Sequence, residues 1–155
     1  MVKSKDNHME CEIKWNAGDG ISFAARTGSG HVIPLDTAKE VTGTSIGPRP
    51  METFLVGAVA CTQYDLVAGI KQAGGILHSC KAFASGIRSE NSPKIFTKIS
   101  VHFSIESDNI SREAVQQILD ASREVHGSAM KMLGQSAKIL FEFELLTSNS
   151  PPTIK

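Results

Sequence analysis

Cysteine is scarce in this sequence, and its spacing excludes two common roles. Cys11, Cys61 and Cys80 lie far apart and form no C-x-x-C pair. An odd number of widely spaced cysteines fits neither a disulfide framework nor a structural zinc site. The histidines are also scattered, without the H-E-x-x-H spacing of a zinc hydrolase. We therefore expect neither a metal ion nor another cofactor.

An excess of charge of either sign is also absent. Sixteen Lys and Arg balance sixteen Asp and Glu, and no basic cluster indicates a surface for nucleic acid or anionic lipid. The N-terminal stretch MVKSKDNHME lacks the apolar core of a secretory signal, which predicts a cytoplasmic protein with reduced cysteines. The apolar run from Phe54 to Ile70 is interrupted by Gln63 and Asp65, so we expect no membrane span.

The apolar pattern predicts one α+β domain over residues 1–155, with loose tails at 1–7 and 148–155. Alternation of apolar and polar residues predicts strands, and a long run of helix formers after two prolines predicts a helix that Gly74 and Gly75 end. The predicted order is β-β-β-α-β-β-α-β with mainly antiparallel pairing. The strands are expected at 8–15, 21–27, 31–35, 76–87, 95–105 and 137–146, and the helices at 51–73 and 111–125, with a short segment at 128–133.

The same pattern predicts which side chains are buried. Cys11 alternates with polar neighbours in the first strand and is expected to lie in the core. The helix at 51–73 is apolar on nearly every side and has a small-residue surface at Gly57, Ala58, Ala60 and Cys61 that another helix can approach closely. Further buried faces are expected at Ile95, Ile99, Val101, Phe103 and Ile105, at Val115, Ile118, Leu119, Ser122 and Val125 behind an N-cap at Ser111, and at Ile139, Phe141, Phe143 and Leu145.

Four stretches resemble one known family. They are SGHVIPLD (29–36), GPRPMETFLVGAVACTQYDLV (47–67), SPKIFTKISVHFSI (92–105) and REVHGSAMKML (123–133). Together they are similar to the OsmC/Ohr family of hydroperoxide-reducing proteins, and more closely to its YhfA-like branch. The most specific piece is Pro-x-Glu followed by an apolar helix with a cysteine nine residues after the glutamate, here Pro50, Glu52 and Cys61.

The resemblance implies a fold, an assembly and a reaction. It implies an intertwined homodimer with antiparallel sheets wrapped around long central helices. In the family, the cysteine at the position of Cys61 attacks the peroxide O–O bond and becomes a sulfenic acid. A second cysteine on the later helix then condenses with that acid to a disulfide, which an external thiol reductant reopens.

This sequence departs from the family pattern at two places. Gly127 stands where the second cysteine belongs, so the two-cysteine cycle cannot run. Many members also carry a catalytic arginine in the turn between the first two strands, whereas the turn here, Asn16 to Gly20, contains Asp19 and no arginine. Both differences bear on how Cys61 would be activated and regenerated.

A reactive Cys61 requires a nearby cation. Only the thiolate is a good nucleophile, and an ordinary cysteine, with a pKa of about 8.5, is mostly protonated near neutrality. The candidate cations are Arg49 at the helix start and Arg26 at the end of the second strand. Arg49 lies about 18 Å from Cys61 along a regular helix, so it would more easily reach the Cys61 of a partner subunit. Glu52 either orients such an arginine or is simply an acidic residue favoured in the first helical turn.

Other side chains have a structural and a functional interpretation. Tyr64 and Asp65, one turn beyond Cys61, line a substrate pocket or contact a second subunit. His126 is a candidate pocket residue because it adjoins the position of the missing cysteine, although, like His31, it is more simply a hydrogen-bonded structural residue. Cys80 is expected to be a core residue rather than a resolving thiol.

Two functions from different classes follow. The first is thiol-dependent reduction of organic hydroperoxides, with Cys61 as the nucleophile and an external thiol in place of the second cysteine. The second is a non-catalytic dimer that binds a small apolar ligand at the subunit interface, with Cys61 as part of the wall. Cys61 and its helix favour the first, whereas Gly127 and the turn without arginine favour the second.

Overall fold

A computed structural model describes residues 8–18, 20–38, 40–41 and 46–147. The chain forms two compact units, Met1–Phe54 and Leu55–Lys155. The tails predicted at 1–7 and 148–155 lie outside the described residues, as does Asp19. The prediction of a single domain therefore stays a prediction, and each unit is described by itself.

The first unit contains an antiparallel sheet of three short strands. They are β1 (Cys11–Trp15), β2 (Ser22–Thr27) and β3 (Val32–Asp36), arranged in that order. The register pairs Cys11 with Thr27 and Glu12 with Arg26. Every residue of β1 is exposed, so the prediction that Cys11 lies in the core is wrong for the single chain. The reason is that β1 is an edge strand of a small sheet, and alternation alone does not say whether a face is covered.

The long helix α1 spans Pro50–Gln72, close to the predicted range of 51–73. Proline at the first helical position loses no hydrogen bond, because that N–H has no partner within the helix. At the other end Gly74 has a φ of 84°, in the left-handed region that favours glycine. The amide of Gly75 then donates to the carbonyl of Ile70 at 2.9 Å, and this contact satisfies an otherwise unpaired carbonyl at the helix end.

The second unit contains a mixed sheet of three longer strands. They are β4 (Ile76–Arg88), β5 (Phe96–Asp108) and β6 (Lys138–Leu146). β5 is the central strand and pairs antiparallel with β4 and parallel with β6. With two antiparallel pairings in the other sheet, the prediction of a mainly antiparallel α+β fold is confirmed. The predicted core face of β5 is also confirmed at Ile99, Val101, Phe103 and Ile105.

One member of that predicted face is placed differently. Ile95 precedes β5 and is 46% exposed, whereas its neighbour Phe96 is buried. The ladder between β4 and β5 changes register at Ile87 and Arg88, so Arg88 pairs with Phe96. An irregularity of this kind moves a side chain to the other face of the sheet, so the prediction that Ile95 is buried is wrong.

Helix α2 spans Arg112–Ala121 and continues into a π-helix, Ser122–His126, before the short helix α3, Ser128–Leu133. The hydroxyl of Ser111 accepts the amide of Ala114 at 3.1 Å, which confirms the predicted N-cap. The wider π turn changes which side faces inward, so Val125 is exposed where a uniform α-helical pattern predicted burial.

Helices α1 and α2 pack closely at one glycine. A β-carbon on Gly69 would lie 2.6 Å from the side chain of Ile118, so only glycine allows this approach. By length and composition alone α1 also resembles a membrane span, with a mean hydropathy of 1.4 over an 18-residue window. In the second unit, however, its polar side chains bond to neighbouring elements: Gln63 to the carbonyl of Cys80 and Asp65 to Ser122.

Candidate active site

The thiol of Cys61 lies on an exposed, largely apolar face of α1. Residues Val56, Gly57, Ala60, Cys61 and Tyr64 are all exposed, and their spacing places them on one side of the helix. We call these five residues the thiol face. The opposite side of α1, including Ala58, Val59, Thr62, Leu66 and Ile70, is buried. The helix therefore presents Cys61 on the side opposite to its buried residues.

Arg49 and Glu52 form a close ion pair at the start of α1. The guanidinium of Arg49 donates to Glu52 Oε1 through Nε at 2.9 Å and through Nη2. The backbone amide of Arg49 donates to the other carboxylate oxygen, Oε2, at 2.9 Å. These contacts lower the pKa of Glu52 and raise that of Arg49. Glu52 thus binds Arg49 and is also the acidic residue of the first turn, while a role in orienting Arg49 toward the thiol of Cys61 stays a prediction.

Arg26, the other candidate cation, lies on β2. Its side chain is exposed, and its register neighbours are Glu12 and Val32. Arg26 belongs to the first compact unit and Cys61 to the second. A role for Arg26 at the Cys61 thiol therefore stays a prediction. His31, in the same unit, hydrogen-bonds Ser29 through Nδ1 at 3.0 Å in a turn, in agreement with its structural interpretation.

Asp65 binds the segment that follows α2. The hydroxyl of Ser122, which is 1% exposed, donates to Asp65 Oδ2 at 2.7 Å. This bond joins α1, one turn beyond Cys61, to the first residue of the π-helix. Tyr64 is 74% exposed on the thiol face, in a position to contact a ligand or a second subunit. The side chain of His126 lies outside the described part of the chain.

Gly127 occupies a position that admits no side chain in this backbone conformation. Its amide donates to the Ser122 carbonyl at 2.6 Å, and a β-carbon there would overlap that same carbonyl oxygen. The glycine is itself buried. The Ser122 carbonyl therefore occupies the space that the side chain of a cysteine at position 127 would need.

Cys80 on β4 is half-buried, and burial raises the pKa of its thiol. Its carbonyl accepts a hydrogen bond from Gln63. Gln63 and Cys61 are two residues apart, so their side chains leave α1 in nearly opposite directions. These features favour the structural interpretation of Cys80 over a resolving role. Among the described residues, no group of three His, Cys, Asp or Glu side chains is placed to hold a metal ion.

One polar residue near the helix start was missed by the sequence interpretation. Asp36, at the end of β3, is 1% exposed and holds the backbone of the segment before Arg49. The available signal was an acidic residue closing the apolar strand HVIPLD, which alternation treats as the end of a strand and no more.

Comparison with known proteins agrees with the fold and the motifs. A family model described as OsmC-like protein matches residues 42–142. The chain belongs to the OsmC-like protein family. This OsmC-like chain is 28% identical over 142 residues to Protein YhfA of Escherichia coli K12, and that alignment covers 90% of the chain and all of YhfA. The resemblance predicted from the motifs is thus confirmed.

Solved structures share the fold of this OsmC-like protein. An OsmC-like protein from Mycoplasma pneumoniae has a TM-score of 0.75 at 22% identity, with 94% of this chain and 99% of that one covered. An organic hydroperoxide resistance protein OsmC from Legionella pneumophila has a TM-score of 0.64 at 14% identity, with 88% and 96% covered. At these identities the likeness confirms the α+β fold that the resemblance predicted.

Proposed function

We propose that this protein reduces organic hydroperoxides, with Cys61 as the attacking thiol and an external thiol as the reductant. The observation that carries the proposal is the exposed Cys61 at the centre of the apolar thiol face, on the helix that the family motif identifies. An apolar surround favours peroxides that carry an organic group over hydrogen peroxide. Membership of a family with an organic hydroperoxide resistance protein among its structural relatives supports the same chemistry.

The proposed reaction balances in two stages. The Cys61 thiolate attacks one peroxide oxygen, a sulfur–oxygen bond forms, the O–O bond breaks, and the leaving alkoxide takes a proton to become an alcohol. Cys61 is then a sulfenic acid. One molecule of external thiol attacks its sulfur, releasing water and forming a mixed disulfide, and a second thiol restores Cys61. The peroxide is reduced by two electrons and two external thiols are oxidised.

A single-turnover experiment tests this proposal. The reduced protein is mixed with one equivalent of cumene hydroperoxide without added thiol. We expect one equivalent of alcohol and a mass gain of one oxygen, about 16 Da, mapped to Cys61 and reversed by a small dithiol. Cys11 is a matched internal control because it is also an exposed cysteine. Oxygen distributed equally between Cys11 and Cys61 would mean that Cys61 has no special reactivity, and the proposal would fail.

The thiol face also supports a second copy of the chain as a partner. A helix face this apolar is rarely left to water, and Gly57 and Ala60 allow the close approach of another helix. In such a dimer Arg49 of one copy would act on Cys61 of the other, stabilising the thiolate and the developing charge on the peroxide oxygen. Pairing with Glu52 through Nε and Nη2 leaves the Nη1 hydrogens for that purpose.

Sedimentation at micromolar concentration tests the dimer. We expect a mass near twice the 16.6 kDa of the chain. Ala60→Arg should shift the protein toward monomer, since a long charged side chain cannot pack on a close helix contact. Gln117→Arg, which adds the same side chain at an exposed position of α2, should leave the mass unchanged. A monodisperse wild-type monomer would contradict the proposed assembly.

Gly127 favours a second candidate function. Because the backbone leaves no room for a resolving cysteine there, the same thiol face would serve a non-catalytic protein that binds a small apolar ligand. Comparison of the wild type with Cys61→Ser distinguishes the two functions. A binding protein keeps its affinity for an apolar probe in Cys61→Ser and shows no single-turnover alcohol, whereas the peroxidase produces alcohol only when Cys61 is present.

A further inference from the structure

Asp36 fastens the chain segment that leads into Arg49. Its carboxylate Oδ2 accepts the amide of Ile46 at 2.9 Å, and Oδ1 accepts the amide of Thr37 at 2.7 Å. The amide of Asp36 itself donates to the carbonyl of Pro48 at 3.0 Å. Among the described residues, three hydrogen bonds to backbone groups thus involve Asp36, and two of them tie the end of β3 to the segment Ile46–Pro48.

The same segment runs unusually close to β3. A β-carbon on Gly47 would lie 2.5 Å from the carbonyl oxygen of Pro34 and 3.0 Å from the amide nitrogen of Leu35. Only glycine therefore fits between the Ile46 and Pro48 contacts. The segment Ile46–Pro48 is thus held on both sides of Gly47, and Arg49 is the residue that directly follows this segment.

The chemistry of Asp36 suits this task in a way that its neutral analogue does not. Burying a carboxylate costs free energy unless its oxygens accept hydrogen bonds, and Asp36 is almost fully buried. An ionised carboxylate offers acceptors on both oxygens, whereas an asparagine amide offers an acceptor on one atom and donors on the other. Asparagine would therefore turn an N–H group toward the amide of Thr37 or Ile46.

We propose that Asp36 is a positioning residue for Arg49. By fixing Ile46–Pro48, it sets where the Arg49 backbone amide and guanidinium meet the carboxylate of Glu52 at the start of α1. The consequence for catalysis rests on the proposed function, in which Arg49 assists the thiol of Cys61. The positioning itself does not depend on that function, because it concerns the Arg49–Glu52 pair.

The first test is a pH titration of Glu52 in the intact protein, in which NMR of its carboxyl carbon reports the pKa. Arg49 holds the pKa of Glu52 below its ordinary value, and Arg49→Ala gives the reference without that effect. In Asp36→Asn we expect the pKa of Glu52 to rise most of the way to the Arg49→Ala reference. Ala25→Gly, which removes a buried methyl from the same sheet, is the control for general loss of stability and should leave Glu52 unchanged.

The second test is a double-mutant cycle on hydroperoxide reduction. Asp36→Asn and Arg49→Ala should each lower kcat/KM, and the double variant should be no slower than Arg49→Ala alone, because Asp36 acts through Arg49. Additive losses would overturn the inference. Should Asp36→Asn fail to fold, Gly47→Ala disturbs the same segment while leaving the carboxylate in place, and the same Glu52 shift is expected.

The outcomes separate the two proposals. A folded Asp36→Asn with an unchanged Glu52 titration overturns the positioning role, whatever the enzyme activity. An equal Glu52 shift in Ala25→Gly also overturns it, since the effect would then come from loosening of the whole sheet. A Glu52 shift confined to Asp36→Asn, in a protein that consumes no hydroperoxide, supports the positioning role and removes only the proposed function.

Discussion

Replacing Cys61 by serine is expected to reduce hydroperoxide consumption at least about a hundredfold, to the rate without protein. A serine hydroxyl is not ionised near neutrality and forms no stable product equivalent to the sulfenic acid, so both the attack and the cycle are lost. The measurement is the rate at which cumene hydroperoxide disappears when a small dithiol is the reductant.

Cys80→Ser and Cys11→Ser are the matched controls for this variant. Burial raises the pKa of Cys80, which keeps its thiol protonated, and Cys11 lies on the exposed edge strand β1. Both variants should retain the wild-type rate within about twofold, because neither thiol takes part in the proposed cycle. A Cys61→Ser protein as active as the wild type would leave the ligand-binding function as the remaining candidate.

Replacing Gly127 by cysteine is expected to destabilise the protein without restoring a two-cysteine cycle. A β-carbon at this position overlaps the carbonyl oxygen of Ser122, to which the Gly127 amide also donates. Forcing extra atoms into a closely packed site typically costs about 1–3 kcal/mol. The backbone must then open, which disturbs the π-helix and the Ser122 hydroxyl that Asp65 holds.

Thermal unfolding and intact mass after peroxide treatment measure the two parts of this prediction. Ser128→Cys is the matched control, because it adds the same thiol one residue later at an exposed position and should unfold near the wild-type temperature. Gly127→Cys should unfold at a lower temperature and show no loss of two hydrogens on oxidation. A stable Gly127→Cys that forms a disulfide with Cys61 would contradict the prediction and show that the glycine is a simple replacement.

The strands of the second sheet were predictable from sequence because they are long and because β5 alternates apolar and polar residues over most of its length. Alternation over β5 identified the buried positions from Ile99 to Ile105, and proline at the start and glycine at the end bounded α1. Alternation, proline and glycine act on the backbone within a few residues, so their effects can be recognised in the sequence itself. The family motif added the assignment of Cys61 as the candidate nucleophile, which alternation and helix propensity do not provide.

The errors have physical causes that the one-dimensional pattern does not contain. Burial of Cys11 depends on what covers β1, and burial of Ile95 and Val125 depends on a register shift and on a π turn. Asp36 was missed because its carboxylate accepts hydrogen bonds from backbone amides, and one of these amides belongs to Ile46, ten residues further along the chain. Such contacts arise only after the chain has folded back on itself.

The parallel pairing of β5 with β6 has a consequence for the order of folding. Strands β4 and β5 are joined by a short turn and form a local pair, but β6 reaches β5 only after the chain has passed through α2 and α3. Parallel pairing over so long a connection is slow, because the entropy of closing the loop must be lost first. During synthesis β6 also leaves the ribosome after β1 to β5 have all emerged. The sheet that supports the cysteine-bearing helix is therefore completed last. The buried ring of Phe103, on β5, meets the ring of Phe141 of β6, edge-to-face at 5.9 Å between centroids, only at that final step.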